Sequence, residues 1–384
     1  MALASSTRMP GIWSSISWAL AAEAGNGSAA RLRLGWRAFA AALWHGRAMR
    51  RWMAMVYELC SRGIVADLPA EYLRAIQPYV NSGTSLSTRV AQLIDHADWL
   101  ETALKPAAFQ QVSAGRPLVL VMLPAPRGFE YLQLQLQRSP PQSPEGELLL
   151  TLVLQRSEQV QQRAAPMVVA TVAFSRFRID SQPCFVIGGV RGQRHPVLRL
   201  SPVELNQALS GWKPAVLMVR VAQELARFWG LRLVGLDPAR HPLRSPPYRW
   251  SRRHRDSGLQ IEKSYGAIWK HFDARLGPHG WMVLPMDSDD KLAATALSPE
   301  KRARQTSRAD YWIRTRNLVR VAFKEHLQRP IMEPDLKGAT VAYGPDTMIV
   351  GGDGNGDGDG EPDFADSESR VRSRVLDTGP SSLL

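Results

Sequence analysis

The chain has 384 residues, 45% of them hydrophobic, with 48 Lys and Arg against 35 Asp and Glu, for a net charge of +13. That length holds one large core or two domains. Its two cysteines, Cys60 and Cys184, exclude a disulfide framework and a CxxC zinc site, and no apolar run approaches the roughly 20 residues that span a bilayer. The charge is unevenly spread. From Asp353 onward eight acids meet three arginines, a net −5 that leaves +18 on residues 1–352. A body this basic suits polyanions, whether nucleic acid, anionic lipid or a phosphorylated ligand.

Residues 1–30 are expected to be a mobile leader. Their apolar stretch GIWSSISWALAA is broken by serines, a poor signal peptide, so a cytoplasmic protein is expected, with attachment to the inner membrane surface as the variant of that reading. Residues 31–110 form a helical N-terminal region. Leu34–Cys60 places Trp36, Phe39, Leu43, Trp52 and Val56 at helical spacing among Arg37, Arg47, Arg50 and Arg51, and Arg89–Leu104 does the same with Val90, Leu93, Ile94, Ala97 and Leu100.

From 111 to 327 the pattern is that of a mixed α/β core. Leu118–Leu123, Tyr131–Leu136, Leu148–Leu154 and Met167–Phe177 read as strands, with the proline-rich Ser139–Gly146 (SPPQSPEG) as a hairpin loop. Phe185–Val190 (FVIGGV) is a further short strand carrying two glycines. The segment Gly211–Pro238 then predicts a helix opened by Pro214 and stopped at Gly230, followed at once by a buried strand, Leu231–Leu236. In that helix Leu217, Val221, Leu225 and Phe228 form one stripe, and Arg220, Gln223, Glu224 and Arg227 fall largely on the other side. A basic loop over Arg240–Arg255 comes next, then a short helix Ser264–Leu276, capped by Ser264 and closed by Gly277. Trp281–Pro285 is a strand, and Ser298–Pro299 opens a last helix running to about Leu327. Residues 328–384 are expected to be a disordered Gly/Asp-rich tail. The fold class is thus mixed α+β: N-terminal helices, then a mostly antiparallel sheet built around a strand–helix–strand unit.

Several blocks carry a family resemblance: RVAQLIDHADWL (Arg89–Leu100), IGGVRG (Ile187–Gly192), GWKPAVLMVRVAQELARFWGL (Gly211–Leu231), His241, YGAIWKHF (Tyr265–Phe272), GWMVLP (Gly280–Pro285) and SPEKRARQTSRADYWIR (Ser298–Arg314). In this order and spacing they resemble the VirK/YbjX family of bacterial proteins. Three positions depart from the family pattern: Gly266 stands where an Asp is usual, Asp237–Pro238 where Ser-Asn is usual, and Arg191 where a Gln is usual. The resemblance implies a role in the Gram-negative cell envelope, of the virulence or antimicrobial-peptide resistance kind, with no reaction attached.

The order strand, helix, strand, Tyr-containing helix, strand also looks like the core of an acyl-CoA N-acyltransferase. In such a core, backbone N–H groups at a helix amino end hold a pyrophosphate. Val190, Arg191, Gly192, Gly211 and Lys213 are the candidate anion or acyl-CoA site, and Tyr265 stands where a general acid would be placed. The usual Q/R-x-x-G-x-G/A loop is missing, because Arg191-Gly192-Gln193-Arg194 runs into His195-Pro196. His241 is the second catalytic candidate, since an imidazole suits proton transfer; the competing reading is a loop histidine that contacts backbone. Lys301, Arg302, Arg304 and Arg308 form a basic face for an anionic ligand or a membrane surface. Nucleic acid is the less favoured partner, because no nucleic-acid fold signature accompanies that face. In the tail, Asp353, Asn355, Asp357 and Asp359 have the spacing of a calcium loop, but Phe364 stands where the closing glutamate belongs. No other metal site is expected.

Overall fold

The seven strands expected from the sequence are joined by an eighth, Arg275–Leu276, in a segment expected to be helical, and all lie in one eight-stranded sheet. The structure, a computed structural model, describes residues 16–17, 19–20, 28–126, 129–141, 143–155, 167–192, 202–245, 252–286 and 298–329. Five helices come first: α1 (Ser28–Trp44), α2 (Gly46–Ser61), α3 (Leu68–Ile76), α4 (Leu86–Ala103) and α5 (Pro106–Ser113). The strands β1 (Leu118–Pro124), β2 (Tyr131–Arg138), β3 (Leu148–Gln155), β4 (Met167–Ile179) and β5 (Gln182–Gly192) follow as an antiparallel meander. After α6 (Pro202–Ala208) and α7 (Pro214–Phe228) comes β6 (Arg232–Leu236), which lies parallel to β5. Then α8 (Arg252–His271), β7 (Arg275–Leu276), β8 (Trp281–Val283) and α9 (Pro299–His326) complete the chain, and the strands lie in the sheet in the order β1-β2-β3-β4-β5-β6-β8-β7.

Alternation along the strands sends successive side chains to opposite faces. Phe185, Ile187 and Leu233 join a core with α7, α8 and α9, while Cys184, Val186, Val234 and Leu236 join a core with α1 to α4. Both faces of the sheet are therefore covered, which explains why β5 and β6 read as apolar runs rather than alternating ones. Cys184 is buried, and Cys60 is half-buried.

The structure corrects four sequence expectations. The single helix expected over Leu34–Cys60 is two, because His45 leaves helical geometry (φ −122°, ψ 33°) and Gly46 starts the second. The loop expected over Arg240–Arg255 ends early: α8 starts at Arg252, so Ser264 lies mid-helix and is no cap, and the helix stops at His271 before Asp273 turns left-handed (φ 49°). Its first half carries no apolar stripe, so periodicity does not reveal it. On α7, Arg220, Gln223 and Glu224, which read only as lying opposite the apolar stripe, are buried: Arg220 lies over the Phe272 ring at 5.4 Å, Gln223 donates to the Pro285 carbonyl at 2.9 Å, and Glu224 meets Arg316 and Arg320 of α9. Finally, α3, α5 and α6 were not anticipated. The first of these has a clear start signal, Asp67 capping the N–H of Ala70 at 3.0 Å.

Ser298 caps α9 as expected. Among the described residues no helix is long and apolar enough to cross a membrane. The tail candidates Asp353, Asn355, Asp357 and Asp359 lie outside the described residues, as does most of the expected leader.

Candidate functional site

The parallel pair β5 and β6 is registered from Cys184↔Arg232 to Ile187↔Gly235, and there the pairing stops. Beyond it β5 continues to Gly192, so on the β6 side its last residues have no strand partner. Crevices at the carboxyl ends of parallel strands are where α/β folds place their ligands. Three buried polar side chains occupy this one: Glu145 from the β2–β3 loop, His241 from the turn after β6, and Tyr265 from α8.

Two glycines let the loop in. Pairing between β4 and β5 jumps from Ala173↔Gly189 to Phe174↔Ile187, so Gly188 is the extra residue of a bulge. A Cβ on Gly188 would lie 2.1 Å from the Glu145 carbonyl oxygen, and one on Gly189 would lie 2.5 Å from Glu145 Oε2. The glycine pair of the IGGVRG block is thus a seat for Glu145.

Around that carboxylate, Arg191 donates through Nη2 to Oε1 at 2.7 Å, and His241 Nε2 stands 3.3 Å from the same oxygen. Burial alone would raise the Glu145 carboxyl, but His241 and the Arg191 guanidinium outweigh it and hold the group below the ordinary carboxylate range. The other imidazole nitrogen, Nδ1, accepts the Leu243 N–H at 3.2 Å, so in the neutral ring Nε2 carries the hydrogen and faces Glu145. Tyr265 stacks edge-on to His241 at 5.8 Å, and its phenol oxygen accepts the N–H of Val190 at 3.0 Å. Burial first, and then the Glu145 charge, push the Tyr265 phenol far up, so it holds its proton. Arg191 is the exposed member; its side chain is 62% accessible and closes the buried carboxylate from outside.

On the other face of β5, the Cβ position of Gly192 is 3.8 Å from Ala215, so the strand ends against the first turn of α7. That helix begins with Lys213 and Pro214, has no acid in its first turn, and has no side-chain cap. Gly211, at φ +86°, lies against Arg308 of α9, whose guanidinium covers the Trp212 ring at 4.6 Å while its carbonyl accepts the Trp212 Nε1–H at 3.0 Å. Lys213 is exposed and Arg308 half-buried, so two cations flank the positive end of a helix dipole.

The structure therefore brings Val190, Arg191, Tyr265 and His241 into one cluster, and Gly192, Gly211, Lys213 and Arg308 into an adjoining one. Lys301, Arg302 and Arg304 are exposed on the preceding turns of α9, apart from both. Sequence reasoning missed Glu145, because a lone acid in a proline-rich loop gives no motif. The signal that marks it is indirect: two adjacent glycines in a buried strand require something to approach closely.

Comparison with curated proteins and with solved structures gives no match. A family model described as a protein of unknown function (DUF535) matches residues 28–311, from the first residue of α1 into α9. The chain belongs to the DUF535 family, the family that the VirK/YbjX resemblance denotes.

Proposed function

We propose that this chain is an accessory protein of the bacterial cell envelope that binds an anionic ligand at the amino end of α7. The envelope setting is what the VirK/YbjX resemblance implies. The observation that carries the ligand is the pairing of Lys213 and Arg308 with an uncapped helix start that has no acid in its first turn. The exposed Leu32, Trp36, Leu43 and Trp44 of α1 fit contact with a membrane surface, where indole rings sit at the headgroup level. Calorimetric titration with CoA, pyrophosphate and phosphatidylglycerol vesicles tests the reading. Binding of at least one of them should weaken about tenfold or more in Lys213→Ala/Arg308→Ala, an expected loss for two charge-assisted contacts. No saturable binding of any of the three would overturn it.

A second reading, an acyl-CoA-dependent N-acyltransferase, is favoured by the opening between β5 and β6 with a protonated phenol inside it. There an acceptor amine would attack the thioester carbonyl, the C–S bond would break, Tyr265 would give its proton to the departing thiolate, and the proton lost by the amine nitrogen would restore the phenol. Release of free thiol from acetyl-CoA in the presence of amines, slowed in Tyr265→Phe, would support this reading. An absence of thiol with CoA still bound would leave only the binding function.

A further inference from the structure

Burial divides α1 and α2 lengthwise. Leu34, Ala38 and Ala41 of α1 face the core, as do Met49, Trp52, Met53 and Val56 of α2. Away from the core, Leu32, Trp36, Phe39 and Leu43 follow one another a turn apart in a single stripe. Leu32 and Leu43 are exposed, Trp36 is 65% accessible, and Trp44, beside the end of the stripe, is 71% accessible. Phe39 is half-buried, with its ring 5.5 Å from that of Trp36. A surface helix ordinarily sets one apolar stripe against a polar face. Here α1 carries two apolar stripes, back to back. A lone exposed hydrophobe is ordinary, whereas several in register on one helix mark a contact surface.

The same side turns basic where α1 ends. His45 leaves helical dihedrals, yet its N–H still reaches the Ala41 carbonyl at 3.0 Å and its carbonyl the Met49 N–H at 2.9 Å. The helical phase therefore carries across the kink, and Arg47 and Arg50 follow Leu43 on the outward side. Arg51 stands beside them, and all three are exposed. From Ser28 to Tyr57 the chain carries six arginines and no acid. Arg37 is used within the fold, donating to the Ile76 carbonyl at 2.7 Å. Two copies joined through this face would set cations against cations, which disfavours a dimer. The inward stripe is held by the core, so α1 can lie along a surface but not cross it.

We propose that α1 and the start of α2 together dock on a bilayer surface rich in anionic lipid. Leu32, Trp36 and Leu43 enter the boundary of the acyl chains, the indole of Trp44 lies at headgroup level, and Arg47, Arg50 and Arg51 meet the lipid phosphates. Apolar insertion alone would accept neutral lipid, and cations alone would accept any polyanion. Joined on one face, they select an anionic bilayer over both. The proposal rests on the membrane contact of the function proposed above and adds its seat and the charge of its lipid. It shares no residue with the anion site at α7, so the two fail separately.

The test is flotation of the full chain with phosphatidylcholine vesicles containing about one-third phosphatidylglycerol, against phosphatidylcholine alone. The chain should partition onto the neutral vesicles about tenfold or more weakly. Trp36→Ser/Leu43→Ser should lower partition onto the anionic vesicles about tenfold or more, as should Arg47→Gln/Arg50→Gln/Arg51→Gln. These side chains are exposed, so the circular dichroism spectrum should stay that of the parent. Ile313→Ser/Val321→Ser, similarly exposed on α9, should float as the parent does. Heats of titration with CoA and pyrophosphate should be the same in Trp36→Ser/Leu43→Ser as in the parent. Equal partition onto both kinds of vesicle, or anionic binding kept by either α1–α2 variant, would overturn the proposal. Flotation lost in Lys213→Ala/Arg308→Ala but kept in Trp36→Ser/Leu43→Ser would overturn it and leave the reading of α7 standing. A dimer in sedimentation that Trp36→Ser/Leu43→Ser dissociates, with no flotation of the parent, would overturn it in favour of contact between copies.

Discussion

The backbone N–H of Val190 donates to the phenol oxygen of Tyr265 at 3.0 Å, and both residues are buried. This bond ties α8 to the end of β5 that lies beyond its pairing with β6. Without it the Val190 amide would be an orphan, because the pairing of β5 with β6 has already ended at Ile187. Tyr265→Phe should therefore cost about 1–3 kcal/mol, the penalty for a buried donor left unsatisfied, read from urea denaturation midpoints.

The glycines around the site separate crowding from conformation. Gly189→Ala sets a methyl 2.5 Å from Glu145 Oε2 and should lower stability by about 2 kcal/mol or more. Gly266→Ala, in the middle of α8 with nothing within 4 Å of the new Cβ, should raise it by about 0.5–1 kcal/mol. Thermal melts of the two variants side by side check both signs.

Glu224 is the clasp between α7 and α9. It pairs with Arg316 at 2.9 Å and Arg320 at 2.8 Å, and also with Arg227 on its own helix. Burial raises its carboxyl, but Arg320, Arg227 and Arg316 together hold it below the ordinary range. Glu224→Gln should destabilise the chain by about 1–3 kcal/mol, less than a wholly buried pair because the arginines are partly solvated. Amide exchange should quicken across α9 first.

The main strands were legible because apolar alternation and turn residues mark them, and α7 because proline and glycine punctuate it. What was hidden follows from context that a sequence window does not contain. Arg220 and Glu224 read only as lying opposite the apolar stripe, since nothing local says that Phe272 will meet the one and α9 the other. Arg89 and His96 sit in a recognised block, yet their work is tertiary. Arg89 donates to the Ala75 and Thr84 carbonyls at 2.8 and 3.2 Å, and His96 meets β4. Of the candidate site, Tyr265, His241 and Arg191 were legible, while the carboxylate that organises them was not.

His96 sets a distinct limb of the pH dependence. Its folded pKa is lowered to about 4, chiefly by burial, against an ordinary value of 6.5. Between those values the unfolded chain binds a proton that the folded chain refuses, so stability falls as pH drops from about 6.5 to 4. The slope should approach about 1.4 kcal/mol per pH unit. The depressed carboxyls Glu145, Glu147 and Glu224 act lower, losing their stabilisation only as pH falls below the ordinary carboxylate range. His96→Asn should flatten the upper limb and spare the lower one, measured by denaturation at a series of pH values.

Hydrogen–deuterium exchange with and without whichever of CoA, pyrophosphate and phosphatidylglycerol vesicles binds tests the central claim most directly, because it reads the first turn of α7 itself. The account predicts slower exchange in the peptide covering Gly211–Met218, abolished in Lys213→Ala/Arg308→Ala. Unchanged exchange there with all three ligands, or protection confined to other parts of the chain, would contradict it.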